Sequence, residues 1–140
     1  MRAGEVKTAI INALEAIAPD SNAGGEAFVH VDLGGRDPSA ITERAFLCDL
    51  TGVSRAEFIT LDCQLVTYQV IVFFKSYPGV EDRIADDAER VIKALNSLHE
   101  QNQDLYAVQF DAVDIDPSRI MDGMLEASLE ITATYRRTGV

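Results

Sequence analysis

The chain has 140 residues, of which 47% are hydrophobic and 25% charged, the composition of an ordinary globular domain rather than a disordered chain. Its net charge of −11 is spread along the sequence, with nine acids and five bases in residues 1–60 and fourteen and seven in residues 61–140. Such a charge argues against a surface that grips nucleic acid phosphates. Two cysteines predict neither a disulfide framework nor a zinc site, and a reduced, cytoplasmic environment is expected. The sequence contains no run typical of a signal peptide or a membrane span.

The first half of the chain begins with a helix and continues with short strands. Apolar residues recur at helical spacing in EVKTAIINALEAI, so residues 3–18 are predicted to form an amphipathic helix that Pro19 ends. Residues 27–32 (AFVHVD) are predicted as a short strand and residues 34–40 (GGRDPSA) as a loop. Residues 44–52 (RAFLCDLTG) are predicted as the second strand.

The middle of the chain holds the clearest strand and a second helix. Residues 61–77 (LDCQLVTYQVIVFFKSY) are rich in β-branched and aromatic residues, and Pro78-Gly79 ends the run. The preceding residues 53–60 (VSRAEFIT) are ambiguous and fit the cap of a hairpin. Residues 80–98 carry one apolar stripe, with acids early and a lysine late, which complements a helix macrodipole. Most of those acids are predicted to lie on a solvated face.

The last third is predicted to contain two long strands. In residues 105–116 (LYAVQFDAVDID) the apolar phase changes after Phe110, which indicates a β-bulge. Asp116-Pro117-Ser118 is predicted to begin a turn. Residues 123–137 (GMLEASLEITATYRR) then alternate apolar and polar side chains without a break, so one face of this strand is predicted to be dry.

These elements predict a single α+β domain over residues 1–140. Their order, α-β-β-β-α-β-β with short links, favours a mostly antiparallel sheet of four to five strands with both helices packed on one face. Both periodicities converge on one predicted core, made of Leu14, Ile17, Val70, Ile84, Val91, Leu95, Leu129 and Ile131.

Candidate catalytic and metal-binding residues are scattered. His30 and His99 lie far apart, and neither has a cysteine or another histidine nearby, so a structural role is favoured over metal binding. Cys48 and Cys63 lie in strand patterns, where cysteine behaves as a small hydrophobe. No nucleophile, base and oxyanion donor are brought together, so no enzymatic activity is expected.

Two further motifs contain residue types found in ligand-binding sites but lack the spacing of a known site. The acidic cluster Asp111, Asp114, Asp116 and Asp122 lacks the spacing of an EF-hand, and a solvated strand end is favoured. Gly34-Gly35-Arg36 lacks a dinucleotide or P-loop fingerprint, so a tight turn is favoured over phosphate binding. No cofactor or metal is expected.

The order of elements resembles the tail terminator family of long-tailed phages. The resemblance covers residues 3 to 136 and rests on the helix EVKTAIINALEAI, the segment CDLTG, the strand CQLVTYQVIVFF, the helix DRIADDAERVIKAL and the closing strand LEASLEITATYR. The loop from Leu33 to Glu43 and the terminal RRTGV are particular to this sequence.

The resemblance implies a non-enzymatic virion protein at the tail–neck junction, assembled in the host cytoplasm. Members of the family form hexameric rings that cap the growing tail tube, end its polymerisation and offer a surface to the head connector, while DNA passes through the hole without specific binding. The expected partners are further copies of the chain, the tail tube protein and the head-completion protein. Small polar and basic residues are the candidate interface: Arg36, Arg44, Arg55, Ser128, Thr132, Thr134, Arg136 and Arg137.

Two other functions remain open at this point. One is another neck component, such as a head-closure or tail-completion protein, which docks to a different partner. The other is a small α+β ligand-binding protein or enzyme, which requires a convergent polar pocket.

Overall fold

A computed structural model describes residues 1–19, 27–32, 42–55, 63–121 and 124–137. Within these ranges the chain forms the following elements: α1 Ala3–Glu15, β1 Val29–His30, β2 Ala45–Arg55, β3 Cys63–Lys75, α2 Val80–Asn96, α3 Leu98–Gln101, β4 Leu105–Met121 and β5 Met124–Arg136. The predicted α-β-β-β-α-β-β order is therefore confirmed, with the single turn of α3 added after α2.

The strands form one mixed sheet in the order β1-β2-β3-β5-β4. β1 runs parallel to β2, whereas the pairs β2–β3, β3–β5 and β5–β4 are antiparallel. The prediction of a mostly antiparallel sheet is thus confirmed. β5, the closing strand, lies inside the sheet rather than at its edge.

α1 packs on the sheet through a narrow apolar stripe. Val6, Ile10 and Leu14, spaced four residues apart, are its buried side chains, as expected for a helix with one face on a core. The Glu5 carboxylate accepts a hydrogen bond of 3.2 Å from the Arg2 backbone N–H, which satisfies a donor at the start of the helix. The helix ends at Glu15, before the predicted boundary at residue 18.

α2 begins directly after Gly79, whose φ of +90° is a conformation that glycine adopts without strain. Its apolar stripe, including Ile84, Val91 and Leu95, is buried as predicted. Arg83 and Asp87 are also buried, so the acids of this helix are not all solvated. Asp87 is the exception because it forms ion pairs inside the protein.

β5 and β3 supply the sheet side of the core. The odd residues of β5 from Leu125 to Tyr135 are buried, and they pair with the buried row of β3 from Val66 to Phe74. Seven of the eight predicted core residues are buried, while Ile17 is half-buried and packs against the same cluster. The dry face of β5 therefore holds both helices, as predicted.

β4 both confirms and corrects the sequence analysis. Its register with β5 shifts between Phe110 and Val113, where the change of apolar phase predicted a bulge. The turn predicted at Asp116-Pro117-Ser118 is wrong, because the strand continues to Met121. Proline has no N–H to donate, but Pro117 lies in a register shift between Asp116 and Met121, where β4 has no residue partners on β5, so no ladder hydrogen bond is lost.

Candidate assembly surface

The sheet face opposite the helices carries small polar side chains at its centre. Gly52 of β2, Thr67 of β3, Thr132 of β5 and Gln109 of β4 are register partners and form one row across four strands. The hydroxyls of Thr67 and Thr132 are 3.2 Å apart and share a hydrogen bond. This row leaves a low surface that another protein surface can approach closely.

The candidates on β5 lie on this outer face. Ser128, Thr132 and Thr134 are half-buried and alternate with the buried core residues of the same strand. Their cross-strand partners on β3 are Ile71, Thr67 and Leu65, respectively. The structure therefore brings all three predicted polar residues to one side of the sheet.

An apolar cluster lies beside the polar row. Ala45 and Phe73 are buried on this side, and Val31, Leu47 and Ile71 pack against them partly exposed. The outer face therefore changes from apolar at β1 and β2 to polar at β5. The apolar half of this face favours contact with another protein.

Arg136 and Arg137 are exposed where β5 ends. The Arg136 backbone is held on both sides: its N–H donates to the Asp104 carbonyl at 2.7 Å, and its carbonyl accepts from the Met1 nitrogen at 3.0 Å. Two flexible cationic side chains thus start from a fixed strand end. They form the most concentrated exposed basic charge in the part of the chain that the structure describes.

The other three arginine candidates have different outcomes. Arg36 lies outside the described residues. Arg55 is the last residue of β2, and only its backbone position is described. Arg44 is removed from the candidate interface, because its side chain is wholly buried and bonded to Asp87 within the same subunit. A guanidinium with no exposed surface cannot pair with a neighbouring protein.

Arg44 belongs to a buried ionic cluster that the sequence analysis missed. Asp87 accepts from Arg44 and also from Arg90, at 2.7 Å, while the Arg44 guanidinium lies 4.7 Å from the centre of the Phe28 ring. Arg83 Nε lies 2.9 Å from Glu43 Oε1, an ion pair outside hydrogen-bonding geometry. The available signal was spacing, since positions 83, 87 and 90 share the helix face of the apolar stripe.

The sequence analysis also missed a set of exposed apolar side chains on the outer strands. Val29 of β1, Leu50 and Val53 of β2 and Tyr106 of β4 are four of the five large hydrophobic residues exposed among the described residues. Their exposure depends on how far the helices extend over the sheet. Hydrophobic periodicity in the sequence carries no information on that extent.

Burial raises the pKa values of three titratable groups near the core, which makes these groups less reactive. Burial raises the pKa of the Cys48 thiol to about 11, partly offset by the nearby Lys7 ammonium. A reactive thiol needs the opposite shift. Burial also raises the pKa of Tyr68 and of Tyr135, whose hydroxyls donate to the Ala3 carbonyl and to Gln64 Oε1.

The surface grooves and the possible groups of metal-binding side chains indicate little further chemistry. An open groove of about 1020 Å³ separates α1 from α2 and α3, lined largely by alanines and uncharged polar residues. Among the described residues, no three His, Cys, Asp or Glu side chains are grouped as a metal site requires. None of the helices within the described ranges has the length and apolarity to cross a membrane.

Fold and surface together define the class: an α+β domain whose sheet is covered by helices on one face and has no described helix on the other. No protein-family model matches the chain, and no curated protein is significantly similar to it in sequence.

Proposed function

We propose that the protein is a tail terminator of a long-tailed phage, a non-enzymatic virion protein that forms a hexameric ring on the end of the tail tube. The observation that carries the proposal is the arrangement of the sheet. The order α-β-β-β-α-β-β, closed by the long alternating strand β5, is the one on which the family resemblance rests. One sheet face is used by the helices, and no helix of the described residues lies on the other.

The outer face supports a role in assembly. The Gly52–Thr67–Thr132–Gln109 row presents little side-chain bulk, so a neighbouring subunit or the channel can lie close to the sheet. Contact with another protein would remove water from the half-buried apolar cluster around Phe73. In this proposal the open face and the strand edges, not a pocket, carry the function.

The charge of the chain fits a DNA channel. Each copy carries a net charge of −11, and acidic walls repel phosphates rather than hold them. DNA would therefore slide through the ring without specific binding. Arg136 and Arg137, exposed at the end of β5, are the cations available for an acidic partner, either the tail tube protein or the head-completion protein.

The test uses the purified protein and polymerising tail tube protein of the same phage. Added before polymerisation is complete, it is expected to shorten tubes in electron micrographs and to leave a ring at one tube end. A protein that leaves tube length unchanged but binds the portal side of isolated heads is a head-closure component instead. A protein that does neither, and stays monomeric at all concentrations and salts, is not a terminator.

A further inference from the structure

β2 has an open edge along most of its length. β1 pairs with it only at Ala45 and Phe46, and the last hydrogen bond of that pair runs from the Val31 N–H to the Phe46 carbonyl at 2.9 Å. From Leu47 to Arg55, no described strand lies on that side. These nine positions span roughly 30 Å of strand, enough to pair with another strand.

A notch marks the place where pairing stops. A cavity of about 230 Å³ lies against the edge, lined by His30 and Asp32 beyond β1, by Leu47 and Asp49 of β2, and by Lys7 of α1. It lies between the residues that follow β1, Val31 and Asp32, and the first part of β2. Among the described residues, no helix or further strand covers the edge of β2 at this point.

The edge strand also exposes two large apolar side chains among polar ones. Leu50 and Val53 are 54% and 49% exposed, and no lysine or proline occurs in LCDLTGVSR. Soluble proteins commonly protect free edges with such residues, because an open ladder invites another strand. β2 therefore combines an edge without a described partner strand with two exposed apolar side chains, although it also carries Asp49 and a register shift between Leu50 and Gly52.

The opposite edge of the sheet matches it. β4 is the last strand, it is 17 residues long, and its far side has no strand partner among the described residues. Tyr106, beside the first register shift of β4, is 48% exposed. Both ends of the sheet therefore offer an unpaired ladder and an exposed apolar side chain.

The two edges also match in direction. Because β3 is antiparallel to β2, β5 to β3 and β4 to β5, β4 runs opposite to β2. In a head-to-tail ring that keeps the strand direction from copy to copy, β2 of one copy meets β4 of the next as an antiparallel pair. We propose that the ring contact is this pair, which joins the sheets of neighbouring copies and fills the notch beside β1.

This proposal rests on the proposed function for the ring and names its contact. Antiparallel pairing would satisfy the open N–H and C=O groups on both edges and bury Leu50, Val53 and Tyr106. Each copy uses two different surfaces, so the contact is heterologous: it gives a ring when the rotation between copies closes, and it does not give a two-fold dimer.

The experiment blocks one edge at a time with lysines. The double variant Leu50→Lys/Val53→Lys blocks β2, and Tyr106→Lys/Gln109→Lys blocks β4; all four positions are exposed. Tyr77→Lys/Gln101→Lys is the matched control, because both residues are exposed and neither lies on a strand. Each pair of substitutions takes the net charge from −11 to −11 + 2 = −9, so reduced repulsion by itself favours assembly.

Masses are measured by sedimentation, with melting temperature as the check on folding. The wild type and the control are expected near the hexamer mass, 6 × 15.3 = 91.8 kDa, and each edge variant near 15.3 kDa with an unchanged fold. An equimolar mixture of the two edge variants retains one intact β2 and one intact β4. It is therefore expected to give a dimer of 2 × 15.3 = 30.6 kDa that grows no further.

The outcomes separate the contact from the function. A ring that persists in both folded edge variants, or a mixture that stays monomeric with the wild type assembled, overturns the edge pairing and leaves the terminator proposal standing. A dimer that survives in one edge variant alone shows a two-fold contact and also overturns it. Edge-dependent rings that fail to shorten tail tubes support the contact and contradict the function.

Discussion

Arg44 and Asp87 meet inside the protein, where the Arg44 Nε donates a 3.0 Å hydrogen bond to Asp87 Oδ2 and neither side chain reaches solvent. The pair joins the residue before β2 to the middle of α2. Arg44 has a φ of +66°, a conformation unfavourable for a residue with a side chain, and its N–H donates to the Phe73 carbonyl at 2.8 Å. The ionic pair therefore fixes the point at which the chain enters the sheet.

Removing one charge of this pair is expected to destabilise the domain strongly. Asp87→Asn removes the carboxylate that pairs with the buried Arg44 guanidinium, which costs about 3–5 kcal/mol. Asp86→Asn is the control, because Asp86 is exposed on the same turn and its loss costs less than about 0.5 kcal/mol. Urea unfolding measures both. Equal midpoints for the two variants would contradict the structural role of the pair.

A charge on the inner face of β5 is expected to unfold the protein. Leu129 is buried between the sheet and the helices, and Leu129→Asp would bury an unpaired carboxylate at a cost of several kcal/mol. Glu130→Lys, one residue further on the outer face, keeps a charge at an exposed position and serves as the control. Circular dichroism and melting temperature report the result. A native-like Leu129→Asp variant would show that the face of β5 is assigned wrongly.

Stability is expected to fall at alkaline pH. Burial raises the pKa of Cys48 from 9.0 to about 11, so the thiol ionises earlier in the unfolded chain than in the folded one. The corresponding stabilisation, up to about 3 kcal/mol, is complete below pH 9 and is lost as pH rises through 11. Cys48→Ala should reduce the loss of stability between pH 9 and 11. The loss that remains is due to Tyr68, whose pKa is also raised. Identical pH profiles for variant and wild type would refute this cause.

Ring formation is expected to depend on ionic strength. Six copies bring 6 × −11 = −66 charges together, and salt shortens the range of their repulsion from about 10 Å at 0.1 M to about 3 Å at 1 M. The free protein should therefore shift from monomer toward hexamer as salt or magnesium is added. Sedimentation across a salt series measures the shift, and a mass independent of salt would contradict it.

The basic end of β5 is expected to contribute to the ring or its docking. Arg136→Glu/Arg137→Glu should weaken assembly or tube capping without unfolding the subunit, because both side chains are exposed. Arg2→Glu/Lys93→Glu makes the same change of charge at exposed positions on the helical side. Equal losses in the two double variants would show that only total charge matters.

Local patterns predicted the elements because helices and strands leave different periods in the sequence. The bulge after Phe110 was predictable for the same reason, since one extra residue shifts the alternation. Pro117 was misjudged because its effect depends on whether residues 117–120 pair with β5, a property of the strand register. The local sequence around Pro117 carries no information on that register.

The candidate surface was predictable only in part. Ser128, Thr132 and Thr134 were placed on one face by alternation alone. Arg44 was misassigned because burial of an arginine depends on a carboxylate 43 positions away. The exposure of Leu50 and Val53 depends on how far α1 and α2 extend over the sheet, which is a tertiary property.

The position of β5 also orders events during synthesis. β5 is translated after every other strand and lies between β3 and β4, so the sheet cannot close until about residue 136 has left the ribosome. Until then the apolar edge of β3 is exposed to other chains, as is the face that α1 and α2 would cover. The β4–β5 hairpin can form locally and then dock on β3, which makes that docking the step that commits a nascent chain to its fold.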